Sequence, residues 1–83
     1  MARGKKLLER MRDNPRDWRI EDVQAVCGAF GIACTAPRKG SHYKVKHGGQ
    51  AEFLTVPARR PIKRVYIVDL VRFIDAVSAR GSE

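Results

Sequence analysis

His42 lies in the run Arg38-Lys39-Gly40-Ser41-His42-Tyr43-Lys44-Val45-Lys46, one imidazole among cations directly after a glycine-containing turn. Cleavage of an RNA phosphodiester needs little more than such a set. A general base takes the 2′-hydroxyl proton, a general acid protonates the leaving oxygen, and positive charge stabilises the pentavalent phosphorane. Histidine, with an unperturbed pKa of about 6.5, serves either role near neutral pH. The need for a 2′-hydroxyl would restrict the reaction to RNA. The residues leave a second reading open: a solvated cationic strand face that binds RNA without cutting it.

The other chemistry-bearing residues do not assemble into a rival site. Cys27 and Cys34 are seven positions apart and share no metal-binding spacing with each other or with His42 and His47, so no metal or cofactor is expected. Cys27 is expected as a small core residue on a helix and Cys34 as the same on a strand. Ser41 and Ser78 lack an acidic partner placed to orient a histidine. Gly48-Gly49 is followed by Gln50 and a strand, which is not a phosphate-cradling loop. Asp69 and Asp75, six apart, are expected on the outer face of the last helix, and Glu52 as a lone strand carboxylate.

The elements that must position His42 follow from hydrophobic period. Residues 4–14 carry Leu7, Leu8 and Met11 on one side of a basic helix, stopped by Asn14-Pro15 because a residue before proline leaves the α region. Trp18 falls in the connector, where it is expected to cover one end of the core. Ile20, Val23, Val26, Cys27 and Phe30 recur at helical spacing over residues 20–30, with Glu21 and Asp22 at the positive N-terminal end and Gly31 as the stop.

The period then changes to two. Residues 32–36 read as a first strand and Pro37-Arg38-Lys39-Gly40 as a basic turn. Residues 41–47 alternate, with Tyr43 and Val45 on one face and His42, Lys44 and Lys46 on the other. Gly48-Gly49 signals a hairpin, and residues 51–56 read as a third strand ended by Pro57. After a loop over residues 58–62, a last helix covers residues 63–79, its core stripe being Ile67, Leu70, Val71, Ile74 and Val77. Tyr66 and Phe73 either widen that stripe or form an exposed patch.

The expected order is α-α-β-β-β-α: an α+β two-layer sandwich in which a three-stranded antiparallel meander has helices on one face and its other face open to water. That open face would carry His42, Lys44 and Lys46. At 83 residues the chain forms one domain, an extra N-terminal helix over residues 4–14 and a core over residues 20–79. Seventeen Lys and Arg against nine Asp and Glu give a net charge of +8, which favours a polyanionic partner. No apolar run approaches the roughly 20 residues of a membrane span, and MARGKK lacks a following apolar signal region. A soluble, cytoplasmic chain without membrane partners is therefore expected.

Gly40-Ser41-His42 at the start of the second strand, the Gly-Gly hairpin, and Leu54-Thr55-Val56-Pro57 resemble the HicA toxin family. Leu7-Leu8-Glu9-Arg10-Met11 with Asn14-Pro15 and Trp18 resembles the longer N-terminal version of those proteins. Pro61-Ile62-Lys63 followed by Tyr66-Ile67 resembles the start of their last helix, so the likeness runs in order over nearly the whole chain. The resemblance implies a fold similar to the double-stranded-RNA-binding domain and the activity of an mRNA interferase, a metal-independent endoribonuclease with degenerate sequence preference. It makes His42 the catalytic residue, with Gly40 and Ser41 shaping the turn that presents it. Arg38, Lys39, Ser41, Lys44, Lys46 and Arg59 are the residues expected to hold RNA. The partner it implies is a HicB-type antitoxin, which masks the active face and usually supplies the DNA-binding part, so no direct DNA binding is expected of this chain alone.

One departure bears on mechanism. Members of the family often have a histidine two residues beyond the strand-ending proline, where this chain has Arg59. Arginine keeps the charge there but cannot exchange a proton. His47 is a substitute acid only if the hairpin end twists, because strand parity places it with Tyr43 and Val45.

Overall fold

The computed structural model describes residues 2–81. The elements follow the expected order: α1 (Ala2–Asp13), α2 (Ile20–Ala29), β1 (Ala33–Thr35), β2 (His42–Lys46), β3 (Leu54–Pro57) and α3 (Arg64–Gly81). The strands form one antiparallel sheet in the order β1-β2-β3. Its register pairs Cys34 with Val45 and Val45 in turn with Leu54. The result is an α+β fold with β2 at the centre of the sheet.

Alternation along β2 sorts the two faces as the sequence implies. Val45 is fully buried and Tyr43 half-buried, while His42, Lys44 and Lys46 are exposed. On β3, Val56 is buried and Thr55 exposed, continuing the same two faces across the ladder. The buried side meets α2, which packs over β1, and α3, which packs over β3. Val23, Val26 and Cys27 of α2 and Ile67, Leu70 and Ile74 of α3 are inaccessible in that layer. Phe73 is buried and Tyr66 half-buried against the same cluster, so both widen the core.

The first helix is part of this core and not an appendage. α1 packs against both α2 and α3, and Met11 is fully buried. Close approach to α2 depends on Gly4, since a Cβ there would collide with the Cβ of Ala29. Arg12 of α1 makes two parallel bonds to Asp75 of α3, Nη1 to Oδ2 at 2.7 Å and Nη2 to Oδ1 at 2.8 Å. Asp75 was expected on a free outer face; it instead faces α1, because that helix covers this side of α3. Hydrogen bonding by Arg12 holds the Asp75 carboxyl below its ordinary range and raises the guanidinium pKa in turn.

The connectors are tied by backbone and capping bonds. The Asp22 carboxylate accepts the Arg19 N–H at 3.0 Å, half of a capping box at the start of α2. At its other end the N–H groups of Ile32 and Gly31 donate to the carbonyls of Cys27 and Gly28, closing the helix as Gly31 led one to expect. Trp18 donates its indole N–H to the Asn14 carbonyl at 2.6 Å, with Arg10 over its ring. The Trp18 carbonyl accepts the Ile62 N–H at 2.9 Å, joining the α1–α2 and β3–α3 connectors.

The third strand differs from its expected extent. It starts at Leu54, and residues 51–53 are an exposed bend. The reason is parity: Leu54 and Val56 face the core, so a strand begun at Ala51 would turn the Glu52 carboxylate inward, at a cost of several kcal/mol for an unpaired charge. Glu52 is thus a solvent-exposed bend residue and not a strand carboxylate. The remaining boundary differences are a residue or two, the usual fraying at element ends.

Candidate functional site

His42 is the first residue of β2, and the chain before it is shaped by Gly40, whose φ of +83° lies in the left-handed region that side chains disfavour. That conformation ends the basic turn and delivers Ser41 and His42 to the ladder. Ser41 is half-buried, and its carbonyl accepts the Ala58 N–H at 2.6 Å, extending the β2–β3 pairing by one step beyond His42–Pro57. The bond brings the β3–α3 connector alongside the start of β2, so Arg59 arrives at the same sheet end as His42. Arg38 and Lys39 are exposed in the β1–β2 connection at that end.

The His42 imidazole is exposed and, among the described residues, makes no hydrogen bond or ion pair. Lys44 follows on the same face, about 7 Å along the strand, and Lys46 about 13 Å along it. The expected residues therefore divide. Arg38, Lys39, Ser41, His42 and Arg59 gather at one end of the sheet, while Lys46 lies at the other.

His47 does not join His42. It is half-buried just beyond the far end of β2, and its Nδ1 accepts the Gly49 N–H at 3.0 Å. The hairpin end does not twist it onto the open face near His42. Five strand positions, about 16 Å, separate the two imidazoles. Among the described residues no group of three or more His, Cys, Asp or Glu is placed to hold a metal ion. Cys27 is buried and Cys34 half-buried, both as free thiols, and burial pushes the Cys27 pKa up to about 12. Cys34 is raised also, again by burial. Thiols held protonated are poor nucleophiles, so the pair belongs to the packing.

One residue on this face went unnoticed in the sequence. Phe53 is 48% exposed, and the ammonium groups of Lys44 and Lys46 each lie 5.5 Å from its ring centroid. Strand parity was the available signal: with Leu54 and Val56 inward, residue 53 falls on the open face beside Thr55. Small residues flank the two lysines, since the partners of Lys44 are Thr35 and Thr55 and that of Lys46 is Ala33.

The excess charge of the chain falls in the segment that holds the strands and their connectors. Residues 33–64 contain Arg38, Lys39, Lys44, Lys46, Arg59, Arg60, Lys63 and Arg64 against Glu52 alone. Among the described residues, Arg60 is the one of these cations with an ion pair, a 4.0 Å contact to Glu21 with both side chains largely exposed. The arrangement offers a proton acceptor and unpaired positive charge on an accessible surface. No helix of the described residues is long and apolar enough to cross a membrane. Compared with family models, with curated proteins and with solved structures, the chain finds no match.

Proposed function

We propose that the chain is an RNA-cleaving toxin of the HicA type that acts on mRNA in the cytoplasm and is neutralised by a HicB-type antitoxin covering the open sheet face. The observation that carries the reading is the exposed, unpaired imidazole of His42 at the sheet end where Arg38, Lys39, Ser41 and Arg59 also gather. His42 takes the 2′-hydroxyl proton as that oxygen attacks the adjacent phosphorus. The P–O5′ bond breaks, leaving a 2′,3′-cyclic phosphate and a 5′-hydroxyl. Cations from the turn and from Arg59 stabilise the charge on the phosphorane. Arg59 keeps its proton and His47 lies at the far end of β2, so water or the imidazolium itself gives the leaving oxygen its proton. An acidic antitoxin surface would complement the excess charge of this face.

The test is cleavage of a structured transcript by the purified chain without added metal. His42→Ala is expected to lower the rate by about 10²–10⁴-fold, the range for losing a general acid–base. The exposed side chain leaves folding untouched. In cells, the natural chain is expected to arrest growth and His42→Ala to be tolerated. Equal cleavage or equal toxicity of the two overturns the assignment. A second reading, a non-catalytic RNA-binding module, is favoured by the Gly49 bond that occupies His47 Nδ1 and by the distance of that ring from His42. Under that reading RNA is bound in a salt-sensitive manner and recovered intact.

A further inference from the structure

The Phe53 ring with its two lysines has no part in the proton transfers. A single exposed apolar side chain is ordinary on a protein surface. This one is placed differently: it directly precedes β3 on the open face of the sheet, and the Lys44 and Lys46 ammonium groups of the central strand β2 lie over its ring at 5.5 Å. An exposed lysine–aromatic contact is worth only about 0.5–1 kcal/mol, so the ring is readily shared with a better partner. A planar face for a π-system, held beside two cations, matches one nucleotide: a base to stack and phosphates on either side.

We propose that Phe53, Lys44 and Lys46 form a stacking site for an unpaired base, which makes single-stranded RNA, and not duplex, the ligand of this sheet. The inference rests on the reading of the sheet face as RNA-directed and specifies what that face accepts. In a duplex the base faces are stacked on one another and closed to a side chain, so Phe53 has nothing to contribute there. In a single strand every base offers a π-face, and stacking on an aromatic side chain is sequence-tolerant. Lys44 belongs to both regions of the face, lying between Phe53 and His42. A strand stacked on Phe53 would run along β2 towards the imidazole.

The experiment measures binding of the full chain to a short oligouridylate carrying 2′-O-methyl groups, which cannot be cleaved, free and annealed to its complement. Phe53→Ala is expected to weaken binding of the free strand by about 5- to 150-fold, the range for loss of one base–aromatic stack, and to leave duplex binding unchanged. Phe53→Leu, which keeps apolar area without a π-face, is expected to behave like Phe53→Ala. Phe53→Trp is expected to restore binding, with indole fluorescence quenched by the free strand. Full affinity in Phe53→Ala or Phe53→Leu, or equal losses on free and duplex RNA, overturns the stacking site. Because the probe is inert to cleavage, failure of the His42 assignment leaves this test standing. A chain that binds neither form at low salt overturns both.

Discussion

The helical layer and the sheet use charge in opposite ways. Outside residues 33–64 the chain carries nine Lys and Arg and eight Asp and Glu, close to neutral; inside it, eight cations face one carboxylate. In the helices, charge is spent on structure: Arg12 clamps Asp75, and Asp22 caps α2. Along the strands and their connectors, the cations repel one another and, apart from the long Arg60–Glu21 contact, are unpaired with carboxylates among the described residues. Self-repulsion of this kind destabilises a compact state slightly and makes sense when a polyanion completes the surface. Charge without a structural partner is charge available to a ligand.

Three substitutions test this division of charge between fold and surface. Met11→Ala, in the fully buried face of α1, is expected to cost about 2–5 kcal/mol in urea unfolding. A cost under 1 kcal/mol would mean that α1 is not part of the core. Asp75→Asn is expected to cost up to about 1 kcal/mol near neutral pH, because the pair is bidentate but its side chains are 47% and 43% exposed. Arg12 depresses the Asp75 pKa, so the stabilisation is complete above the unfolded carboxylate pKa and is lost as pH falls through the folded value. The gap between the natural chain and Asp75→Asn therefore closes in acid, and a gap that widens there would contradict the clamp. Lys44→Gln with Lys46→Gln is expected to change stability by no more than about 0.5 kcal/mol per site. In the same variant the slope of log K against log salt for single-stranded RNA should fall by about 0.7 per lost phosphate contact. Substantial destabilisation would show that these lysines serve the fold.

Most of the fold was legible because hydrophobic period is a local signal. The 3.6 spacing of Val23, Val26 and Cys27 and the alternation of Tyr43, Val45 and their neighbours set element types, order and faces. What was not legible depends either on residues far apart in the chain or on the phase of a short strand. Asp75 looked free because its partner Arg12 is 63 positions away. Strand β3 looked longer because nothing near Ala51 announces that Glu52 would have to point inward. The exposure and cationic setting of His42 were readable from alternation, whereas its sharing a sheet end with Arg59 needed the Ser41–Ala58 bond. Phe53 was missed because an isolated aromatic reads as core until its parity is worked out against Leu54.

The β2–β3 register carries a consequence for chain length. Val45 pairs with Leu54, two positions further along than a tight Gly48-Gly49 hairpin would give. Ala51 and Glu52 are that surplus. The Gly48-Gly49 turn itself is already closed, the Gln50 N–H donating to the His47 carbonyl at 3.0 Å. If Ala51 and Glu52 are deleted together, Lys46 falls opposite Phe53 directly behind that two-residue turn, and the Val45–Leu54 pairing continues unchanged. The hairpin thus carries a spacer that insertion and deletion can act on in pairs, lengthening or shortening the loop while leaving Phe53 on the outside and Leu54 within.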